Sequence, residues 1–265
     1  MITSIKITDN KRTPFRYLHD VDAFKNGTEY KFTPGVNVII GCNGCGKSTL
    51  LNLIAEYTFC TDAMGSAMPK DALHFPRIWD DEDRVLNGIE IHADYVGKVF
   101  RMLPHMEMSK DDILNDMENF SSFVSGANCS SGEKGVVALN SLFKSMFSTK
   151  DYSFPIAELQ ERSKGYSGTW RRKIDNLIQY YKKNHIEVDK TNFEYTVLMD
   201  EPDRNLDVQN IMEVYGVLSF HKPQTQIIAV IHNPALIYKL SKLGCVNFVE
   251  MTKGYLNEVL NFIND

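Results

Sequence analysis

Hydrophobic and polar residues alternate along this chain in two rhythms, one of strands and one of helices. Residues 2–7 (ITSIKI) and 28–32 (TEYKF) alternate or are rich in β-formers, which predicts short strands near the start. Thr33-Pro34-Gly35 reads as a turn, and residues 36–40 (VNVII) as a short buried strand. That strand runs directly into a glycine-rich stretch, after which residues 48–57 (STLLNLIAEY) read as a helix. Residues 61–83, with Gly, Pro and many acids, predict a loop, and residues 89–103 (IEIHADYVGKVFRML) alternate on either side of 94–97, which predicts a β-hairpin.

The second half repeats the strand-and-helix alternation. Ser109 caps an acidic first turn that opens a helix to about Phe120, and Ser130 and Ser131 cap a helix over 133–147. Residues 195–199 (YTVLM), 226–231 (QIIAVI) and 246–249 (VNFV) are strand signals, with helices at 208–220 and 234–243 between them. Such alternation implies an α/β fold, with a mainly parallel sheet flanked by helices. The early strands add an antiparallel β subdomain, and residues 104–194 a helical lobe. The whole of 1–265 is expected to be one domain.

The glycine-rich stretch, GCNGCGKST at 41–49, admits two chemistries. Cys42-x-x-Cys45 has the spacing of a zinc or redox pair, whereas Gly41-x-x-x-x-Gly46-Lys47-Ser48 has that of a phosphate loop. A structural zinc site needs four ligands, and no second CxxC or HxxxH pair is present. Strand, glycine loop and helix are the context in which the phosphate loop works. Unpaired N–H groups at the helix N-terminus and the helix dipole attract an anion, and glycines let the backbone approach it closely. The loop Gly41, Cys42, Asn43, Gly44, Cys45, Gly46, Lys47, Ser48 and Thr49 is therefore the expected nucleotide site. Lys47 faces the β and γ phosphates, Ser48 offers its hydroxyl to Mg²⁺, and the two cysteines fill space.

Residues 197–201 (VLMDE) end an apolar strand in two carboxylates, at the edge where ligands of open α/β sheets gather. Asp200 suits the Mg²⁺ shell, and Glu201 suits a base for the attacking water. Together these features point to an ATP-hydrolysing protein that uses ATP and Mg²⁺.

Composition narrows the class. A net charge of −5 and a pI near 5.8 argue against a surface that grips nucleic acid all round, while leaving room for a local basic patch. The start carries no apolar signal region, and apolar runs fall far short of the ~20 residues of a membrane helix, so no membrane insertion is expected. Five scattered cysteines fit a reducing compartment, hence a cytoplasmic location.

GCNGCGKST, CSSGE, VLMDEPDRNLD and VIHNP, in that order over about residues 1–250, resemble the Walker A, signature, Walker B with D-loop, and switch-histidine motifs of ABC-type ATPases. The resemblance implies a head-to-tail homodimer with ATP sandwiched between Walker A of one copy and the signature of the other. It implies that Ser130, Ser131, Gly132 and Glu133 form the signature, with Ser130 and Gly132 on the partner's γ phosphate. It further implies that Asp207 lies in the D-loop and that His232 senses the γ phosphate. The family's Q-loop glutamine is missing, since residues 1–159 contain none, and His105 or Glu107 are candidates for its place. SSGE in place of the transporters' SGGQ is similar to the RecF/SMC-like branch and to small ATPases of bacterial defence and repair systems. No room exists for a long coiled coil.

The function implied is an ATPase that drives a partner protein or acts on nucleic acid, in DNA repair or phage defence. The alternative is the nucleotide-binding subunit of a membrane transporter. An aromatic near the N-terminus, Tyr17 or Phe24, is the candidate to stack on adenine. The segment 149–193 is polar, carries a basic cluster around Arg171, Arg172 and Lys173, and is the candidate docking surface for a partner protein or a nucleic-acid backbone.

Overall fold

The computed structural model describes residues 1–12, 19–58, 61–62, 88–94, 98–102, Asp175, Gln179, 195–219 and 225–264. The expected helical lobe at 104–194, with Ser130, Ser131, Gly132 and Glu133 and almost all of the 149–193 segment, lies outside the described residues, as do Tyr17, His105 and Glu107.

Nine strands and four helices frame the described residues. They are β1 (Ile2–Ile7), β2 (Glu29–Lys31), β3 (Gly35–Ile40), α1 (Lys47–Thr58), β4 (Thr61–Asp62), β5 (Ile89–Ala93), β6 (Lys98–Met102), β7 (Tyr195–Asp200), α2 (Val208–Ser219), β8 (Thr225–Val230), α3 (Pro234–Ser241), β9 (Asn247–Glu250) and α4 (Tyr255–Asn264). Six strands make one sheet in the order β4-β6-β7-β8-β3-β9, and every pairing in it is parallel. A second sheet, β2-β1-β5, is antiparallel.

The buried runs of the sequence explain the large sheet. Successive side chains of a strand point to opposite faces, so a strand covered on both sides must be apolar throughout. Val36, Val38 and Ile40 of β3, Val197 and Met199 of β7, and Ile227 and Ala229 of β8 pack on the face that meets α2 and α3. Ile39, Leu198, Ile228 and Val230 point the other way, toward α1 and the small sheet. Two buried amides stitch these layers. Gln226 accepts from Ile2 N at 3.0 Å and donates to Ile2 O at 2.7 Å, fixing β1 against the large sheet. Asn37 accepts from Thr33 N at 2.8 Å and donates to Ile227 O at 3.2 Å.

The expected hairpin at 89–103 does not form. β5 pairs with β1 in the small sheet, from Ile7↔Ile89 to Ile2↔Ala93, whereas β6 pairs parallel with β7 in the large one. Alternation marked β5 correctly as a strand with one covered face, but the covering partner is β1, far away in the chain. Phe24 is fully buried in the core beside Ile5 and Ile7, so it is not free to stack on a base.

Candidate active site

Three neighbouring parallel strands, β3, β8 and β7, deliver their carboxyl ends to one edge of the sheet. β3 leads into the phosphate loop, β7 ends in Asp200, and β8 leads through Ile231 to His232. Residues far apart in sequence thereby line one open cleft of 730 Å³, which includes Asn43, Gly44, Lys47, Ser48, Glu201 and His232.

The loop is shaped by glycine. Gly41, at φ +153°, passes so close to the chain after β9 that an added Cβ would meet Cys45 Sγ at 2.9 Å and Thr252 Oγ1 at 3.0 Å. Gly44 and Gly46 also take positive φ, 78° and 95°. Lys47 is 4 % exposed, and its Nζ donates to Gly41 O at 2.8 Å and Cys42 O at 2.9 Å. The ammonium is thus held inside the loop, where a phosphate cradled by the backbone would meet it. Cys45 is buried and Cys42 exposed, so the space-filling role expected of both is filled by Cys45. Burial pushes the Cys45 thiol upward, an effect opposed by the Lys47 cation.

Ser48 Oγ donates to Asp200 Oδ1 at 2.9 Å across 152 residues of sequence. The pair is a hydroxyl and a buried carboxylate at the first turn of α1, a donor set that fits Mg²⁺, which favours hard oxygen ligands few enough to leave it several waters. Glu201 follows in the left-handed region at φ +49°, an uncommon conformation for a residue other than glycine. Its Oε1 lies 3.3 Å from His232 Nε2 and its Oε2 3.0 Å from Arg204 Nη1. Both carboxylate oxygens are engaged from opposite partners.

Two residues that sequence reasoning passed over complete the turn. Arg204 is brought back onto Glu201 by a turn in which Arg204 N donates to Glu201 O at 3.0 Å. Asp203 is 6 % exposed, and its Oδ2 accepts from His232 N at 2.9 Å and from Asn233 N at 2.5 Å. Desolvation by burial raises its pKa, partly offset by those two backbone donors. Among the described residues, its other oxygen, Oδ1, is buried without a hydrogen-bond partner. Asn233 in turn caps α3 by accepting from Leu236 N, with Pro234 in the first turn. The only signal for Asp203 in the sequence was a third carboxylate closely following Asp200 and Glu201.

Asp207 sits elsewhere. It caps α2, accepting from Asn210 N at 2.9 Å, and does not line the cleft. Thr49 is buried in the first turn of α1 and lines the cleft beside Ser48. A second cleft of 850 Å³ flanks the other side of the phosphate loop and is lined by residues 20–23, 28–31, 42–45 and 247–253. Among the described residues, no helix is long and apolar enough to cross a membrane.

Residues 17–94, which contain the phosphate loop, match the family described as "AAA domain". No curated protein matches the chain significantly. Among solved structures, the chain is similar to that described as "Crystal structure of the SmcHead bound to the C-winged helix domain of ScpA", at 12% identity over 89% of this chain and 90% of that one. The TM-score is 0.35, a loose likeness. In the order of its motifs, and with an AAA-domain match over its phosphate loop, the chain resembles ABC-type ATPases of the RecF/SMC-like branch.

Proposed function

We propose that this chain binds ATP with Mg²⁺ and hydrolyses it, and that two copies close head to tail around the nucleotide to drive a partner protein or a nucleic-acid transaction. The observation that carries the reading is the 2.9 Å contact of Ser48 with Asp200, which joins the phosphate loop to the acidic strand end with Lys47, Glu201 and His232 around the same cleft.

Loop N–H groups and Lys47 would bind the phosphates, and Ser48 and Asp200 would hold Mg²⁺. Bound Mg²⁺ would supply positive charge against the phosphate oxygens. Glu201 would accept the proton of the attacking water, with His232, 3.3 Å away, orienting its carboxylate. Ser130, Ser131, Gly132 and Glu133 would complete the site from a second copy, and Asp207 would lie at the seam. A role in DNA repair or phage defence follows from the resemblance of the signature and awaits a partner.

Lys47→Ala removes the cation facing the phosphates, and the loss should be about 2–3 kcal/mol of ATP binding, given the strength of charge-assisted hydrogen bonds. Calorimetric titration with ATP and Mg²⁺ checks this. An unchanged affinity would remove the phosphate loop from the account.

A further inference from the structure

The side chains of Cys42 and Cys45 have no part in the hydrolysis proposed above, yet the loop brings them together. Cys45 N contacts Cys42 O at 3.4 Å, closing a four-residue turn. Such a turn keeps its end Cα atoms within about 7 Å, close to the span of about 4.4–6.8 Å that a disulfide bridges. The thiols converge on one hydroxyl. Cys42 Sγ lies 3.2 Å from Thr252 Oγ1, and a Cβ added at Gly41 would meet both that oxygen, at 3.0 Å, and Cys45 Sγ, at 2.9 Å. Lys47 Nζ lies 4.0 Å from Cys45 Sγ, on the side where a cation stabilises a thiolate. Cys42 is exposed, Cys45 is 6 % exposed, and both line the 850 Å³ cleft that flanks the loop, as does Thr252.

We propose that Cys42 and Cys45 form a reversible disulfide that switches off nucleotide binding, with a low-molecular-weight disulfide such as glutathione disulfide as the oxidant. Cys42, as thiolate, attacks one sulfur of the oxidant, whose S–S bond breaks and releases one glutathione thiolate. Cys45 gives up its proton to the departing glutathione thiolate and attacks Cys42 Sγ, forming the internal bond and releasing the second glutathione. The protein loses two electrons and two protons, and the oxidant gains both. The ring so closed encloses Asn43 and Gly44, which line the phosphate side of the cleft, with Gly44 at φ +78°. Their N–H groups can then no longer turn to meet phosphate oxygens. The carbonyls that hold Lys47, those of Gly41 and Cys42, belong to the same constrained segment.

The switching half of this proposal rests on the nucleotide-binding reading, whereas the crosslink does not, and one experiment separates them. The full chain is equilibrated with reduced or oxidised glutathione, desalted, mapped by peptide mass and titrated with ATP and Mg²⁺. The expected result is a loss of two hydrogens from the peptide holding Cys42 and Cys45, and ATP affinity weakened by about tenfold or more, equivalent to about 1.4 kcal/mol. Dithiothreitol should reverse both. Cys42→Ser, compared with its own reduced form, should show no response to the oxidant, and Cys245→Ser should respond as the unaltered chain does. Absence of a Cys42–Cys45 crosslink at saturating oxidant, or a crosslinked chain that binds ATP as the reduced chain does, overturns the proposal. A reduced chain that binds no ATP overturns the nucleotide reading and the switch with it, while the peptide map still reports the crosslink separately.

Discussion

Arg204 binds the carboxylate of Glu201: its Nη1 lies 3.0 Å from Oε2, while His232 holds the other carboxylate oxygen at 3.3 Å. In the proposed hydrolysis Glu201 needs an oxygen free to receive a proton, so the guanidinium would compete with water for it. The pair is partly exposed, at 47 % and 23 % of the two side chains, so its strength is that of a surface ion pair. Arg204→Ala should therefore relieve about 1 kcal/mol, which is about fivefold in the rate of phosphate release. ATP affinity should be unchanged. A slower enzyme would mean that Arg204 holds Glu201 in its working position.

Asp203 ties the acidic turn to the histidine turn through a single oxygen. Asp203→Ala would leave the part-buried N–H groups of His232 and Asn233 without this acceptor, at a cost of about 1–2 kcal/mol of stability. Turnover should fall as well, because His232 loses its anchor. Asp203→Asn keeps a carbonyl oxygen in place and should retain both properties to a large degree. Thermal unfolding and phosphate release, measured on both variants, test the point.

The same residue sets a pH dependence. Burial raises the Asp203 carboxyl above its ordinary 3.8, so over the window from 3.8 up to that raised value the folded chain holds more protons than the unfolded one. The stability contributed by the protonated form is present below 3.8 and is lost as pH rises through the folded value. Asp203→Asn has no such titration. Its denaturant midpoint should fall less steeply across that acidic window than that of the unaltered chain.

Much of this site was legible as sequence because it rests on buried strands and a local loop. VNVII, YTVLM and QIIAVI are mostly apolar because both their faces are covered, and their ends meet at one sheet edge, which brought Lys47, Ser48, Asp200, Glu201 and His232 together. Long-range pairing was not legible. The alternation at 89–103 looked the same whether β5 turned back on β6 or crossed to β1, and only the packing against Ile5 and Ile7 decides. Nor was the turn after β7 legible. Its course depends on left-handed backbone at Glu201 and Asn205, φ +49° and +55°; asparagine favours that conformation but glutamate gives no signal of it. That turn is what brings Arg204 and Asp203 into the site. Asp207 shows the reverse case, a motif residue whose side chain serves in this chain as a helix cap, as its type and position also allow.

The dimer is the part of the proposal that a substitution at the site itself can isolate. Glu201→Gln keeps the shape of the base and removes its ability to take a proton, so ATP should remain bound instead of being consumed. If ATP bridges two copies, that variant should scatter light as a dimer with ATP and Mg²⁺ and as a monomer without them. The surface beside the cleft suits such closure. Val208 and Met212, one turn apart on α2 immediately after Asp207, are 77 % and 42 % exposed, an unusual setting for large apolar side chains. Val208→Glu combined with Glu201→Gln should restore the monomer while ATP binding persists, because the charge lies on the closing surface and not in the cleft. Ser130→Arg should act in the same way from the signature side. If Glu201→Gln stays monomeric at saturating ATP, closure around the nucleotide is wrong and hydrolysis belongs to a single chain. If Val208→Glu leaves the ATP-bound dimer intact, the two copies meet through some other face than the one beginning at Asp207.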